Sequence, residues 1–144
     1  MTALIDTSLM LDYLKGDRRA VHALEPYGHC AISVVTWLEL MALSPPELLE
    51  RTRGFLRSFE RLSVSEAVAD EALRLMHGHA GLPFHRALTW ATARLNQLPY
   101  VTVDASCIAK DDRNVVVPYR WSGGARNGGR ALPAMAAPPP PASA

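Results

Sequence analysis

Short apolar runs alternate along this chain with stretches in which large apolar residues recur at helical spacing. Residues 3–5 predict a first strand. Behind it, Leu9, Met10, Leu11 and Leu14 form an apolar stripe closed by Gly16, the pattern of a helix stopped by a residue that tolerates positive φ. Asp17 is placed to cap a second, short helix through Leu24, and residues 30–34 predict a second strand. Thr36 opens a helix carrying Trp37, Leu40 and Met41, which Ser44, Pro45 and Pro46 must stop. Pro46 suits the first turn of a further helix over 47–61, with Leu48, Leu49, Leu56 and Phe59 near one face and Arg51, Arg53, Arg57 and Glu60 in water. Ser65 caps a helix to about His79, ended by Gly81, and Pro83 precedes another over 84–97. The β-branched runs 100–103 and 115–117 predict two more strands. Strands separated by helices imply an α/β fold, a central and mainly parallel sheet flanked by helices on both faces.

Composition narrows this picture. At 144 residues with 49% hydrophobic and 20% charged positions, the chain fits one compact domain, which excludes a disordered chain or a multidomain enzyme. Residues 120–144, rich in Gly, Pro and Ala, predict a flexible tail behind a domain over 1–119. Charge divides the same way: residues 1–112 hold eleven bases against fourteen acids, a net −3, while 113–144 carry four arginines and no acid. The near-neutral total of +1 excludes a protein that grips nucleic acid by bulk electrostatics alone, so any polyanion must be met locally. Cys30 and Cys107 show none of the paired spacing of a zinc site or disulfide framework. With no basic leader and no run of about 20 apolar residues, the expectation is a cytoplasmic protein without a membrane partner.

In open parallel sheets, chemistry gathers beyond the carboxyl ends of the strands. Asp6 follows the first strand, Glu39 falls in the helix after the second, and Asp104 follows residues 100–103. Each has an ordinary structural use. The sequence Thr36-Trp37-Leu38-Glu39 fits a capping box, and Asp6 and Asp104 suit strand-end turns or helix caps. Taken together they are like charges crowded at one edge, which repel unless a cation, a base or a proton offsets them. Mg²⁺ or Mn²⁺ takes oxygen ligands and retains waters, one of which can attack a phosphodiester as hydroxide. Phosphodiester hydrolysis is therefore the expected reaction class.

These residues resemble the PIN domains, and among them the VapC-like toxins of type II toxin–antitoxin pairs. The likeness rests on Leu4-Ile5-Asp6-Thr7-Ser8 with residues 11–14 behind, on Ile32-Ser33-Val34-Val35-Thr36 running to Glu39, on Val101-Thr102-Val103-Asp104, and on the closing Val115-Val116-Val117-Pro118-Tyr119. The resemblance implies a PIN-like three-layer fold and a metal-dependent endoribonuclease. Asp6, Glu39 and Asp104 match the family's acids as catalytic groups and metal ligands, and Ser8 supports Asp6. It also implies a small antitoxin protein as partner, RNA as substrate and a homodimer. The large apolar side chains between Trp37 and Phe59 would suit a partner's groove.

One acid of the pattern is missing, because Arg86 stands where the family has an aspartate. Four carboxylates would give the site −4; three and a guanidinium give −2. A cation about 6 Å from a divalent ion opposes it by up to about 5 kcal/mol at an effective dielectric near 20. Three outcomes are open. Arg86 turns outward or pairs with Asp6 or Asp104, leaving a degenerate domain that binds RNA or a protein without cutting. Alternatively, Arg86 grips the scissile phosphate while activity is retained. In the third, Asp111 or Asp112 swings into the vacancy. His77, His79 and His85 do not predict a metal site, since positions two apart on a helix face away from each other. No glycine-rich phosphate loop follows the first strand, and Trp37 and Trp90 read as packing anchors.

Overall fold

The computed structural model describes residues 1–108 and 112–120. Its elements follow the expected alternation: β1 (Thr2–Ile5), α1 (Thr7–Leu14), α2 (Arg18–Leu24), β2 (His29–Ser33), α3 (Val34–Leu43), a 3₁₀ turn at Pro46–Leu48, α4 (Leu49–Leu56), β3 (Glu60–Leu62), α5 (Glu66–Gly78), α6 (Phe84–Leu95), β4 (Tyr100–Val101) and β5 (Val115–Val116). The five strands make one sheet in the order β3-β2-β1-β4-β5, and every neighbouring pair is parallel. Helices cover both faces, so the molecule is a three-layer α/β domain. The tail expected over 120–144 lies outside the described residues apart from Arg120.

Alternation along β1 sorts the core. Ala3 and Ile5 face the side of α1 and α3, packed with Leu9, Met10, Leu40 and Met41. Leu4 faces the opposite side, against Val68, Ala72, Ala87 and Trp90 of α5 and α6. β4 splits likewise, with Val101 in the first cluster and Tyr100 in the second. A period of two therefore decides which helix layer each strand residue meets.

The helix expected over 47–61 is shorter than its pattern suggested. It ends at Leu56, with Gly54 weakening the last turn. The chain then straightens into β3, which pairs Arg61 with Ile32. A Glu-Arg-Leu strand at a sheet edge has no alternating apolar signal, and the sequence reading missed it. Ser33, rather than Thr36, caps α3, its hydroxyl accepting from the Val35 amide at 3.1 Å. Glu39 is thereby released from the capping-box role and directed elsewhere. The helix ends at Gly16 and Gly81 stand as expected, both glycines at positive φ.

Candidate active site

The chain adds β2 and β3 on one side of β1 and then crosses back to add β4 and β5 on the other. This is the switch point where α/β sheets open a crevice at their carboxyl edge. Asp6 sits there as the first residue after β1 and caps α1. Continuing the register Leu4 to Tyr100 and Ile5 to Val101 brings Asp6 level with Thr102. The carboxylate is only 3% exposed. Three hydroxyls meet the cost of burying it: Tyr100 donates to Oδ1 at 2.7 Å, while Ser8 and Thr102 donate to Oδ2 at 2.6 and 2.8 Å. Tyr100 is fully buried, and its own oxygen lies 3.0 Å from the Thr89 hydroxyl on α6.

Glu39 approaches the same edge from α3. Its Oε1 lies 3.1 Å from the Thr7 hydroxyl, which also meets the Thr36 hydroxyl at 2.9 Å. Burial raises the Glu39 carboxyl above its ordinary value and the nearby Asp6 charge adds to this, while His85 on α6 and the Thr7 hydrogen bond oppose it. Through Thr7 and Ser8, consecutive residues of α1, hydrogen bonds reach Glu39 and Asp6 respectively.

Asp104 is directed differently. Arg86, buried on α6, places Nη1 3.6 Å from Asp104 Oδ2. The same guanidinium donates to the Ser106 carbonyl at 2.8 Å, to the Ser106 hydroxyl at 3.1 Å and to the Asp104 carbonyl. Asp104 Oδ1 in turn accepts from the Ser106 amide and hydroxyl at 3.1 and 2.6 Å. The acid is thus held within its own loop, and Arg86 neutralises it. Among the described residues no group of three or more carboxylate, imidazole or thiol side chains stands close enough to share a metal ion. Asp6 and Glu39 are thus tied to the consecutive hydroxyls of Ser8 and Thr7 on α1, while Asp104 is held by Arg86 and Ser106. Such a donor set does not fit a shared three-carboxylate metal centre. It leaves Asp6 and Glu39, the one or two carboxylates with which Mg²⁺ is commonly held among waters and substrate oxygens.

The remaining candidates separate from the site. Asp112 pairs with Arg94 at 2.8 Å and accepts from the Asn114 amide, and Asp111 lies outside the described residues. His79 turns Nδ1 to the Leu75 carbonyl at 2.8 Å and rests edge-on against Trp90. Sequence reasoning missed Tyr100, Thr102, Thr7 and Thr36. The signal for Thr102 was present, since alternation in Val-Thr-Val sets it opposite to its apolar neighbours. Tyr100 read only as a strand-forming aromatic.

The fold, the switch-point acids and the hydroxyls around Asp6 define a class, and the sequence agrees: residues 3–112 match the PIN domain family, and the chain belongs to it. Its structural neighbours include proteins of toxin–antitoxin complexes. A toxin–antitoxin complex from Klebsiella pneumoniae is 32% identical, covering 83% of this chain and 99% of that one, with a TM-score of 0.76. FitAcB from Neisseria gonorrhoeae has the same fold at 22% identity, covering 82% and 98%, with a TM-score of 0.66. VapBC-5 from Mycobacterium tuberculosis, a member of the VapBC toxin–antitoxin family, does so at 22%, covering 83% and 97%, with a TM-score of 0.61. No curated protein matches the chain. No helix among the described residues is long and apolar enough to cross a membrane.

Proposed function

We propose that this chain is the toxin of a cytoplasmic toxin–antitoxin pair and hydrolyses RNA phosphodiester bonds with Mg²⁺ or Mn²⁺, at a rate lowered by the diversion of Asp104. The juxtaposition of Asp6 and Glu39 at the switch-point edge carries this reading. A bound divalent ion supplies a Lewis acid for the phosphate and a water of lowered pKa. In this reading Asp6 and Glu39 hold the ion, with Ser8, Thr102 and Tyr100 fixing the aim of Asp6. Glu39 would also be placed to accept a proton from the attacking water. Arg86, beside Asp104, would be the group to grip a substrate phosphate, which a guanidinium binds through two parallel hydrogen bonds. An antitoxin protein covers the apolar surface of α3 and α4, and the toxin acts as a homodimer.

One observation favours a second reading. Arg86 is buried and bound to the Asp104 and Ser106 carbonyls, so it serves the loop's structure, as in a non-catalytic PIN domain that binds RNA or a protein. Both readings meet the same experiment: cleavage of structured RNA by wild type, Asp6→Asn, Glu39→Gln and Arg86→Asp, with Mg²⁺, Mn²⁺ or EDTA. The nuclease reading expects slow, metal-dependent cutting by wild type that Asp6→Asn abolishes. Cutting by Arg86→Asp alone establishes the second reading, and equal cutting by wild type and Asp6→Asn refutes the assigned site.

A further inference from the structure

A cleft of about 260 Å³ opens between α3, α4 and β3, lined by Trp37, Arg53, Leu56, Arg57, Phe59 and Arg61. Three of its six lining residues are arginines, in a domain whose body is net acidic. The Arg61 guanidinium lies over the Trp37 ring, 4.4 Å from its centre. Arg57 and Arg61 are exposed, and neither has an acidic partner among the described residues. The Arg53 Nε is buried without a hydrogen bond; its nearest acid is the exposed Glu50, 3.5 Å away. Three guanidinium groups lining one cleft make it a place where an anion offsets their mutual repulsion.

The cleft also lies in a useful place. Trp37 and Glu39 are two residues apart on α3, hence on nearly opposite sides of it at 100° per residue. Glu39 turns to Thr7 while Trp37 turns to β3. Arg61 pairs with Ile32, one residue short of the carboxyl end of β2, so the cleft flanks the same sheet edge as Asp6. β3 lies two strands from β1, about 10 Å away at ordinary strand spacing. A short stretch of extended nucleic acid spans that distance.

We infer that this cleft is a phosphate subsite for single-stranded RNA, holding backbone to one side of the bond at Asp6 and Glu39. The inference rests on the reading of the chain as an RNA-acting protein. Arginine is the residue for this task, because its planar fork grips phosphate oxygens in pairs and its face stacks on rings. An acidic stretch of a partner protein has the complementary charge too, but the shared edge with the candidate active site favours RNA.

The test is fluorescence anisotropy of a labelled, unstructured RNA oligonucleotide with the full chain in EDTA, so that binding is read without cleavage. Variants are Arg57→Ala, Arg61→Ala, the double variant and Arg61→Lys, with circular dichroism to check folding. Each alanine variant is expected to weaken binding several-fold whatever the RNA sequence, and to lower the slope of log affinity against log salt by about 0.7. Arg61→Lys keeps the slope and regains part of the affinity. Unchanged affinity and slope in the double variant overturn the subsite, as does a loss confined to binding an acidic protein. RNA binding that depends on these arginines, in a wild type that never cuts, upholds the subsite and removes the nuclease reading. Metal-dependent cutting with arginine-insensitive binding does the reverse.

Discussion

Buried Arg86 forms an ion pair with the half-buried Asp104 in which the guanidinium is held less by the carboxylate, 3.6 Å away, than by the carbonyls of Asp104 and Ser106. The pair ties α6 to the loop after β4. It places a fixed positive charge beside Asp104, where the resemblance leads one to expect a negative one.

Replacing Arg86 with Asp reverses that charge beside Asp104. Without metal, the variant is expected to lose roughly 1–3 kcal/mol, because a partly buried pair has been broken and a like charge added. Mg²⁺ should restore much of the loss by binding only the folded state. Titration calorimetry is expected to show Mg²⁺ binding at least about a hundredfold tighter than wild type, well within the charge effect available at an effective dielectric near 20. Thermal unfolding that is equally indifferent to Mg²⁺ in both proteins contradicts this.

Legibility in the sequence followed the source of each signal. Strands β1 and β2 and helices α1, α5 and α6 declared themselves because apolar periodicity and caps coincided, as at Ser65, whose hydroxyl accepts from the Val68 amide. β3 did not, since a three-residue edge strand is set by its pairing to β2 rather than by its own side chains. The acids could be found one at a time because they follow strands. What remained invisible was which way Asp104 turns, a matter settled by Arg86 reaching across from 18 residues earlier. The crowd of hydroxyls on Asp6 was equally hidden, since Tyr100 and Thr102 reach it across more than 90 residues of chain.

Tyr100 should prove more important to stability than an ordinary core phenol. In Tyr100→Phe the ring remains, but Asp6 Oδ1 loses its donor while staying buried. A hydrogen bond to a charged group contributes about 1.5–3 kcal/mol, so a loss of that order is expected in urea unfolding, with little change in the slope m. A variant as stable as wild type shows that another donor replaces the phenol.

Gly81 isolates backbone strain from packing. Its φ of +80° is costly for any residue with a Cβ, yet an added Cβ would meet only Cys107 Sγ at 3.5 Å, an ordinary contact. Gly81→Ala is therefore expected to lower stability by about 1 kcal/mol through conformation alone. A much larger loss would mean that the α5–α6 turn tolerates no change in its packing either.

Tyr119 gives the fold a sensitivity to alkali. Its hydroxyl donates to Asp12 Oδ2 at 2.7 Å and Arg19 lies over its ring, latching the segment after β5 to α1 and α2. Burial, then the hydrogen bond and charge of Asp12, push the phenol well above its ordinary value of 10. The folded state thus keeps a proton that the unfolded chain surrenders from about pH 10 upward, so the unfolded state binds fewer protons there and stability falls as pH rises. Below about pH 10 this contribution is intact. Tyr119→Phe should cost about 1.5–3 kcal/mol at neutral pH, through the lost bond to a carboxylate, and should flatten the alkaline limb. Tyr13 and Tyr100, raised in the same direction by burial, keep some slope in the variant. Urea midpoints between about pH 8 and 11 measure the difference, and parallel limbs in the two proteins would show that the latch is already open before the phenol ionises.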